Sequence, residues 1–298
     1  MNNMLIQETI NIQDESLIYG LVPVVELISK IETVPDEEEV VLDFSKANFV
    51  SPVFVVSMMA YCAMQKRLTF LDLPSYFTSI HFNSALEPDR MRSSEFKALI
   101  EKYSNETYIP VVSFPAETSS VESRDNILSV LIQIIIKQEN IQPNVANGVR
   151  YMISELVDNV TEHSGSDRGY IFAQAYPQKK YLDICIADNG IGLLRSYLHA
   201  GIEIEDEIEA IKAANSCLSS KNLPDAENRG YGIFTSKKML VEGLQGQYLM
   251  VSGNAVFFKN QQVDQVLNLP VGMRWGGTLV ALRIPYSSPS FNYISYVE

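Results

Sequence analysis

Several common devices are missing from this 298-residue sequence. It contains no GxxxxGK[ST] phosphate loop, so a nucleotide site of that kind is excluded. Basic residues are few, with 23 Lys and Arg against 36 Asp and Glu and a formal charge of -13. A general basic surface for nucleic acid or anionic membrane is therefore excluded, because counterion release needs clustered Lys and Arg. Cysteine is scarce: Cys62, Cys185 and Cys217 are widely spaced, lack the spacing of a metal site, and read as reduced core thiols of a cytosolic protein. Long hydrophobic runs are also absent. The greasiest stretch, Phe49 to Met64, is interrupted by Ser51, Pro52 and Ser57 and is shorter than the roughly 20 residues a membrane span needs. The opening MNNMLIQETINIQDE has no basic residue and no long apolar core, so no signal peptide and a cytoplasmic location are expected.

What is present is ordinary globular composition, 46% hydrophobic and 20% charged, with no low-complexity segment and enough length for two domains. Prolines and polar residues between Asn83 and Ser120 place the expected boundary near Ala116, giving a domain over 1–116 and a second over 117–298. In the first, Met4 to Ile12 reads as a strand and Leu21 to Ile31 as a helix. Val40 to Phe44 is a short buried strand, and Ser51 caps a helix that opens on Pro52 and runs to about Lys66. Leu68 to Leu73 is a third strand, which completes a small βαβαβ layer. Glu95 to Tyr103 is a candidate short helix. Ile109 to Phe114, bounded by Pro110 and Pro115, reads as an edge strand or connector.

The second domain opens on a long apolar helix, Val121 to Glu139, and then carries the most informative stretch, MISELVDNVTEH, Met152 to His163. At 3.6 residues per turn Glu155, Asp158, Asn159 and Glu162 share one face, while Val149, Met152, Ile153, Leu156 and Val160 share the other. A carboxylate and an amide oxygen four residues apart suit phosphate chemistry. Mg²⁺ needs few protein oxygens when phosphate and water supply the rest, which makes Asn159 a candidate ligand. Glu155, one turn away, is then placed to orient or deprotonate an attacking water or hydroxyl. A solvated helix face explains the same pattern.

Two alternating strands, Tyr170 to Tyr176 and Tyr181 to Ala187, are joined by PQKK as a hairpin, and the second runs into DNGIG, Asp188 to Gly192. Gly190 and Gly192 let backbone approach a flat ligand, and Asp188 ends a buried strand where an adenine amino group would be a suitable donor. A tight Asx turn accounts for the same residues. The dinucleotide-binding pattern fails at the third glycine, where Arg195 stands. An acidic helical segment from Gly201 and a polar stretch follow, then RGYGI, in which Gly230 and Gly232 open a helix to about Glu242 whose first amides would face an anion. Lys221 and Arg229 are the nearby cations. Gly276 and Gly277 precede Thr278 at the start of the last strand, which with GQYLMVSGNAVFF joins the hairpin in one mixed sheet.

The boxes ELVDN, DNGIG, RGYGI and GGT, in that order between Val121 and Pro285, resemble those of the Bergerat-fold ATPases, the GHKL superfamily. The resemblance implies an α/β sandwich, a mixed sheet against helices, holding ATP and Mg²⁺ under a lid. Carried over position by position, Glu155 corresponds to the base and Asn159 to the Mg²⁺ ligand. Asp188 corresponds to the adenine-reading carboxylate, with Gly190 and Gly192 beside it. Gly230 and Gly232 correspond to the lid glycines, and Thr278 to the hydroxyl beside adenine. The TEH ending looks most like the anti-sigma-factor serine kinase branch, which makes His163 a helix-end residue. The first domain resembles a STAS module more distantly, in the strand ending at Asp43 and the turn into a helix. The phospho-acceptor position of such modules is here Pro52 after Ser51, which argues against an ordinary phospho-acceptor.

No dimerisation helix with a phospho-acceptor His precedes the second domain; His81 lies in poor helical context. The expected function is that of an ATP- and Mg²⁺-binding regulatory protein that hydrolyses ATP or transfers its terminal phosphate to a partner serine. A STAS-like protein partner and a homodimer fit that expectation, and neither nucleic acid nor membrane does. The alternative is a non-catalytic scaffold whose protein interactions are gated by nucleotide.

Overall fold

The computed structural model of the chain describes residues 2–7, 16–117, 121–138, 141–216, 232–288 and 290–297. The chain begins with β1 (Asn2–Gln7), α1 (Val22–Ile31), β2 (Val40–Lys46), α2 (Pro52–Met64) and β3 (Leu68–Leu71). The three strands pair in parallel in the order β1-β2-β3, with Asp43 between Leu5 and Leu71, which is the small α/β layer expected. Ser51 caps α2 as its position suggests: its Oγ accepts the Phe54 N–H at 3.2 Å, and Pro52 stands where a missing N–H costs nothing. α2 ends at Met64, slightly before the expected Lys66.

α2 is apolar on every side, and its surroundings explain why. Its residues from Pro52 to Met58 are all buried. A single core joins Val40, Leu42 and Phe44 of β2, through α2, to Phe172, Cys185, Leu249 and Ala281 of a second, larger sheet. A helix with sheets on both sides has no face left for water. Phe44, Phe54, Phe77 and Phe82 form an aromatic cluster at this junction, with ring centroids 5.0 to 6.5 Å apart in edge-to-face, tilted and stacked pairs. Truncating any one of these rings would cost about 3–5 kcal/mol.

The chain continues through α3 (Ser75–Ser79), α4 (Ser93–Glu101), β4 (Tyr108–Pro115), α5 (Val121–Gln138) and α6 (Pro143–His163). The hairpin of β5 (Arg168–Tyr176) and β6 (Tyr181–Asp188) is followed by α7 (Gly192–His199), α8 (Glu207–Ala214) and α9 (Gly232–Lys238). α9 passes directly into a π-helical turn, Met239–Gly243. β7 (Gln247–Gly253), β8 (Ala255–Lys259), β9 (Asp264–Asn268), β10 (Trp275–Pro285) and α10 (Ile294–Val297) complete the described chain.

The larger sheet has seven strands in the order β4-β5-β6-β10-β7-β8-β9, packed against helices as an α/β sandwich. Every neighbouring pair is antiparallel, where a mixed sheet is expected from the sequence. β6 and β7, the two strands joined through helices, do run in the same direction. β10 inserts between them and pairs antiparallel with each, so the parallel contact never forms.

Both faces of this sheet are buried. Ile171, Ile184, Ile186, Met250 and Leu282 face α5 and α6, while Phe172, Cys185, Leu249 and Ala281 face α2. The hairpin strands therefore read as nearly continuous apolar runs rather than as the alternating pattern expected of a half-exposed sheet. β4 is the edge strand that its prolines foretell: its register with β5 breaks between Ile109 and Val112, at Pro110. That edge is covered, because Val111 donates to the Ile80 carbonyl at 2.8 Å and Ser113 to the Leu86 carbonyl at 2.8 Å. β4 lies on the N-terminal side of Ala116, so the strand before that position belongs to the large sheet.

Candidate functional site

α6 presents the two faces its spacing requires. Val149, Met152, Ile153, Leu156 and Val160 are buried against the sheet and α5. Its polar residues separate into two groups. Asp158 and Glu162 turn with Arg150 and Ser154 toward α5, where a cleft of about 550 Å³ is also lined by Asp125 and Ser129. His163 lies at the helix end, 3.9 Å from the Glu162 carboxylate. Glu155 instead faces α9: a Cβ on Gly232 would overlap the Glu155 carboxylate, so these two residues are in direct contact. Asn159 donates its amide Nδ2 to the Glu155 backbone carbonyl at 2.7 Å, which directs its Oδ1 away from the helix backbone.

A residue not anticipated from the sequence joins this group. Tyr151, one turn before Glu155 on α6, has its phenol in the neighbourhood of the Glu155 carboxylate and of Thr235 on α9. Half-burial, reinforced by the Glu155 charge, pushes the phenol up to about 12, so it stays a donor at neutral pH. Its position four residues before Glu155 was the one available signal.

The second group forms at the end of β6. Asp188 is 2% exposed, and its Oδ1 accepts the Gly190 N–H at 2.8 Å. The Thr278 backbone N–H, on the neighbouring strand, also favours the ionised form of this carboxyl. Burial raises the carboxyl from 3.8 to about 7, against the pull of these two backbone N–H groups.

The glycines around Asp188 serve the protein's own close packing. Gly277 has φ +87°, and a Cβ there would strike the Asp188 carbonyl and Oδ1 and come within 2.7 Å of the Gly190 nitrogen. Gly190 fits only without a Cβ against the Ser164 carbonyl, which also accepts the Ile191 N–H at 2.7 Å. Gly192, at φ +73°, opens α7. Ser252 ties these pieces together: its Oγ accepts the Leu193 N–H at 2.9 Å and donates to the Gly277 carbonyl at 3.0 Å. Gly276 has the N-terminal layer as its neighbour, since a Cβ on it would rest 3.6 Å from Met64.

Asp188, Gly190, Gly192 and Thr278 thus meet in one place, and the C-terminal end of α6 abuts them through Ser164. Glu155, Asn159 and Gly232 meet in a second place on the same helix. Lys221, Arg229 and Gly230 lie outside the described residues. Outside these motifs, Ser166 donates to the Asn189 amide oxygen at 2.6 Å. Arg168 grips Asp89 through two nitrogens at 2.8 and 3.1 Å and donates from Nε to Ser113 Oγ at 2.6 Å. These contacts fix the loop that carries Asp188 to the end of the sheet.

Among the described residues, no group of three or more His, Cys, Asp or Glu side chains is arranged to hold a metal, and no helix is long and apolar enough to cross a membrane. Cys62 and Cys185 are free thiols, and burial raises both above the usual thiol range. No family model matches the chain, and no match was found among curated proteins.

Proposed function

We propose that this is an ATP- and Mg²⁺-binding regulatory protein of the GHKL type, located in the cytoplasm, that hydrolyses ATP or passes its terminal phosphate to a serine of a protein partner. The observation that carries the reading is the buried Asp188 carboxylate at the junction of DNGIG, GGT and the end of α6. Among the described residues the geometry gives it one donor, the Gly190 N–H, and a buried carboxylate near its midpoint of ionisation gains from a further donor. The adenine amino group is such a donor, and the Thr278 hydroxyl stands on the adjacent strand.

The α6 residues suit the other end of a nucleotide. The Asn159 Oδ1 is free of the helix backbone and is one neutral oxygen of the kind Mg²⁺ accepts alongside phosphate and water. Bound there, the ion would neutralise charge on the phosphates. Glu155, one turn earlier, accepts a hydrogen bond from the attacking water or hydroxyl and takes its proton as the bond to phosphorus forms. Gly232 keeps the start of α9 close to this carboxylate, and the first N–H groups of that helix add positive potential.

A titration with ATP, with and without Mg²⁺, tests the site. Wild type should melt at a higher temperature with ATP, and Asp188→Asn should not. Glu155→Gln should keep the shift and lose phosphate release. Absence of any shift in wild type would sink the nucleotide reading. A shift whose consequences for partner binding persist in Glu155→Gln would favour the non-catalytic scaffold.

A further inference from the structure

We infer that Arg168 is a positioning residue for the nucleotide site, through which the turn Pro88–Arg90 controls the order of the DNGIG loop and the affinity of the site for adenine nucleotide. The affinity half rests on the reading of Asp188 as the base-binding carboxylate; the loop half does not.

Arg168 opens β5, one residue before Gly169, which pairs with Asp188 across the β5–β6 ladder. Every nitrogen of its guanidinium is committed. Nη1 and Nη2 reach the two Asp89 oxygens at 3.1 and 2.8 Å. Nε donates to the Ser113 hydroxyl at 2.6 Å, and Nη2 also donates to the Ser113 carbonyl at 3.0 Å. Both side chains of the ion pair are largely withdrawn from water, at 20% and 21% exposure. A bidentate pair of this kind fixes a direction as well as a distance, which an exposed pair of flexible side chains does not.

The Arg168 backbone carries the tie onward. Ser166 Oγ accepts the Arg168 N–H at 3.3 Å and lies 2.6 Å from the Asn189 amide oxygen. Ser164 closes the path, since its Oγ accepts the Ser166 N–H at 3.0 Å and its carbonyl accepts the Ile191 N–H at 2.7 Å. Asp89, Arg168, Ser166 and Asn189 thus connect the turn before α4 to the loop beside Asp188. The turn has its own attachment to the edge of the large sheet at Leu86, whose N–H donates to the Val111 carbonyl at 2.9 Å. A shift of this segment along that edge is passed to Arg168 by the ion pair. A loop ordered only part of the time binds only in its ordered fraction, so loosening the turn lowers affinity without touching any group that meets the ligand.

The test is amide hydrogen exchange on the full chain labelled with [¹⁵N]isoleucine, without nucleotide, together with calorimetric titration with MgADP, which needs neither turnover nor a protein partner. The resonances of Ile184, Ile186 and Ile191 are identified by their loss in valine variants. Asp89→Asn keeps the shape of the side chain and removes its charge. It should speed exchange at Ile191 by about tenfold and leave Ile184 and Ile186, inside β6, as in wild type. MgADP affinity should fall about three- to tenfold in the same variant. Arg168→Gln should have a larger effect on both readings. Asp89→Asn added to it should change neither further, because Asp89 acts through the guanidinium alone.

Unchanged exchange at Ile191 in Asp89→Asn would overturn the inference. So would faster exchange shared equally with Ile184 and Ile186, which marks a general loss of stability, or effects that multiply in the double variant. Faster exchange at Ile191 with MgADP affinity unchanged would remove the control of affinity. If wild type does not bind MgADP, the nucleotide reading and the affinity half fall together, and the exchange measurement alone decides whether the turn orders the loop.

Discussion

The Glu155 carboxylate lies against Gly232, the first residue of α9, with no room between them for a Cβ. What a Cβ would meet is the end of a flexible side chain, so Gly232→Ala should relax by moving the carboxylate rather than the helix. Alanine also suits a helix better than glycine by about 1 kcal/mol. We expect stability within about 1 kcal/mol of wild type and phosphate release lower by at least tenfold, with ATP binding retained. Denaturant midpoints and turnover on the same preparation check this; full turnover would show that the contact does not matter to the chemistry.

Gly277→Ala should behave in the opposite way. Its Cβ meets the backbone of Asp188 and Gly190, which cannot rotate aside, and its φ of +87° is strained for any L side chain. We expect a loss of about 2–4 kcal/mol in unfolding free energy and loss of the ATP-dependent melting shift. A variant as stable as wild type would mean that the DNGIG and GGT loops are not packed together as described.

Asp188 gives a pH dependence with a definite sign. Its carboxyl is raised from 3.8 to about 7 in the folded chain, so the folded state holds this proton more tightly than the unfolded state. The contribution is present below about pH 4 and is lost as pH rises to 7. Asp188→Asn does not titrate there. Its stability relative to wild type should therefore improve between pH 4 and 7 and then level off, by at most a few kcal/mol. Paired denaturant titrations at pH 5 and pH 8 decide it. An adenine donor needs the ionised carboxylate, so ATP affinity of wild type should weaken several-fold from pH 8 to pH 6. Calorimetric titration at the two values would contradict this if affinity were constant.

The shared core predicts that the large sheet does not survive alone. A fragment lacking residues 1–104 would expose Phe172, Cys185, Leu249, Val251 and Ala281, which share a core with the N-terminal layer. We expect it to bind a hydrophobic dye strongly and to associate in solution. A monomeric fragment with wild-type near-ultraviolet circular dichroism would refute this.

Much of the architecture is legible in the sequence because it is local. The two faces of α6 follow from spacing, the cap of α2 from Ser51 and Pro52, the break in β4 from Pro110, and the β5–β6 hairpin from PQKK. What is not legible depends on partners far along the chain. Nothing near Trp275 says that β10 will lie between β6 and β7, and that placement makes the sheet antiparallel. The apolar character of α2 marks burial but not the second sheet that causes it. At the site, Asp188 and the glycines stand out by residue type, yet the sequence suggests room for a ligand where Gly277 and Gly190 are filled by Asp188 and Ser164. Tyr151 passes unnoticed because tyrosine on a helix is ordinary until its neighbour is known.

The burial of α2 between two sheets also bears on how the chain is made. Synthesis delivers the helix and its parallel strands first, whereas the strands that cover its far side begin only at Arg168. At about 5–20 residues per second the interval is on the order of five to twenty seconds. During that time a helix without a polar face has water, the ribosome surface or a chaperone for company. The nascent chain is most vulnerable to aggregation in this window, and slowing elongation before Arg168 would lengthen it.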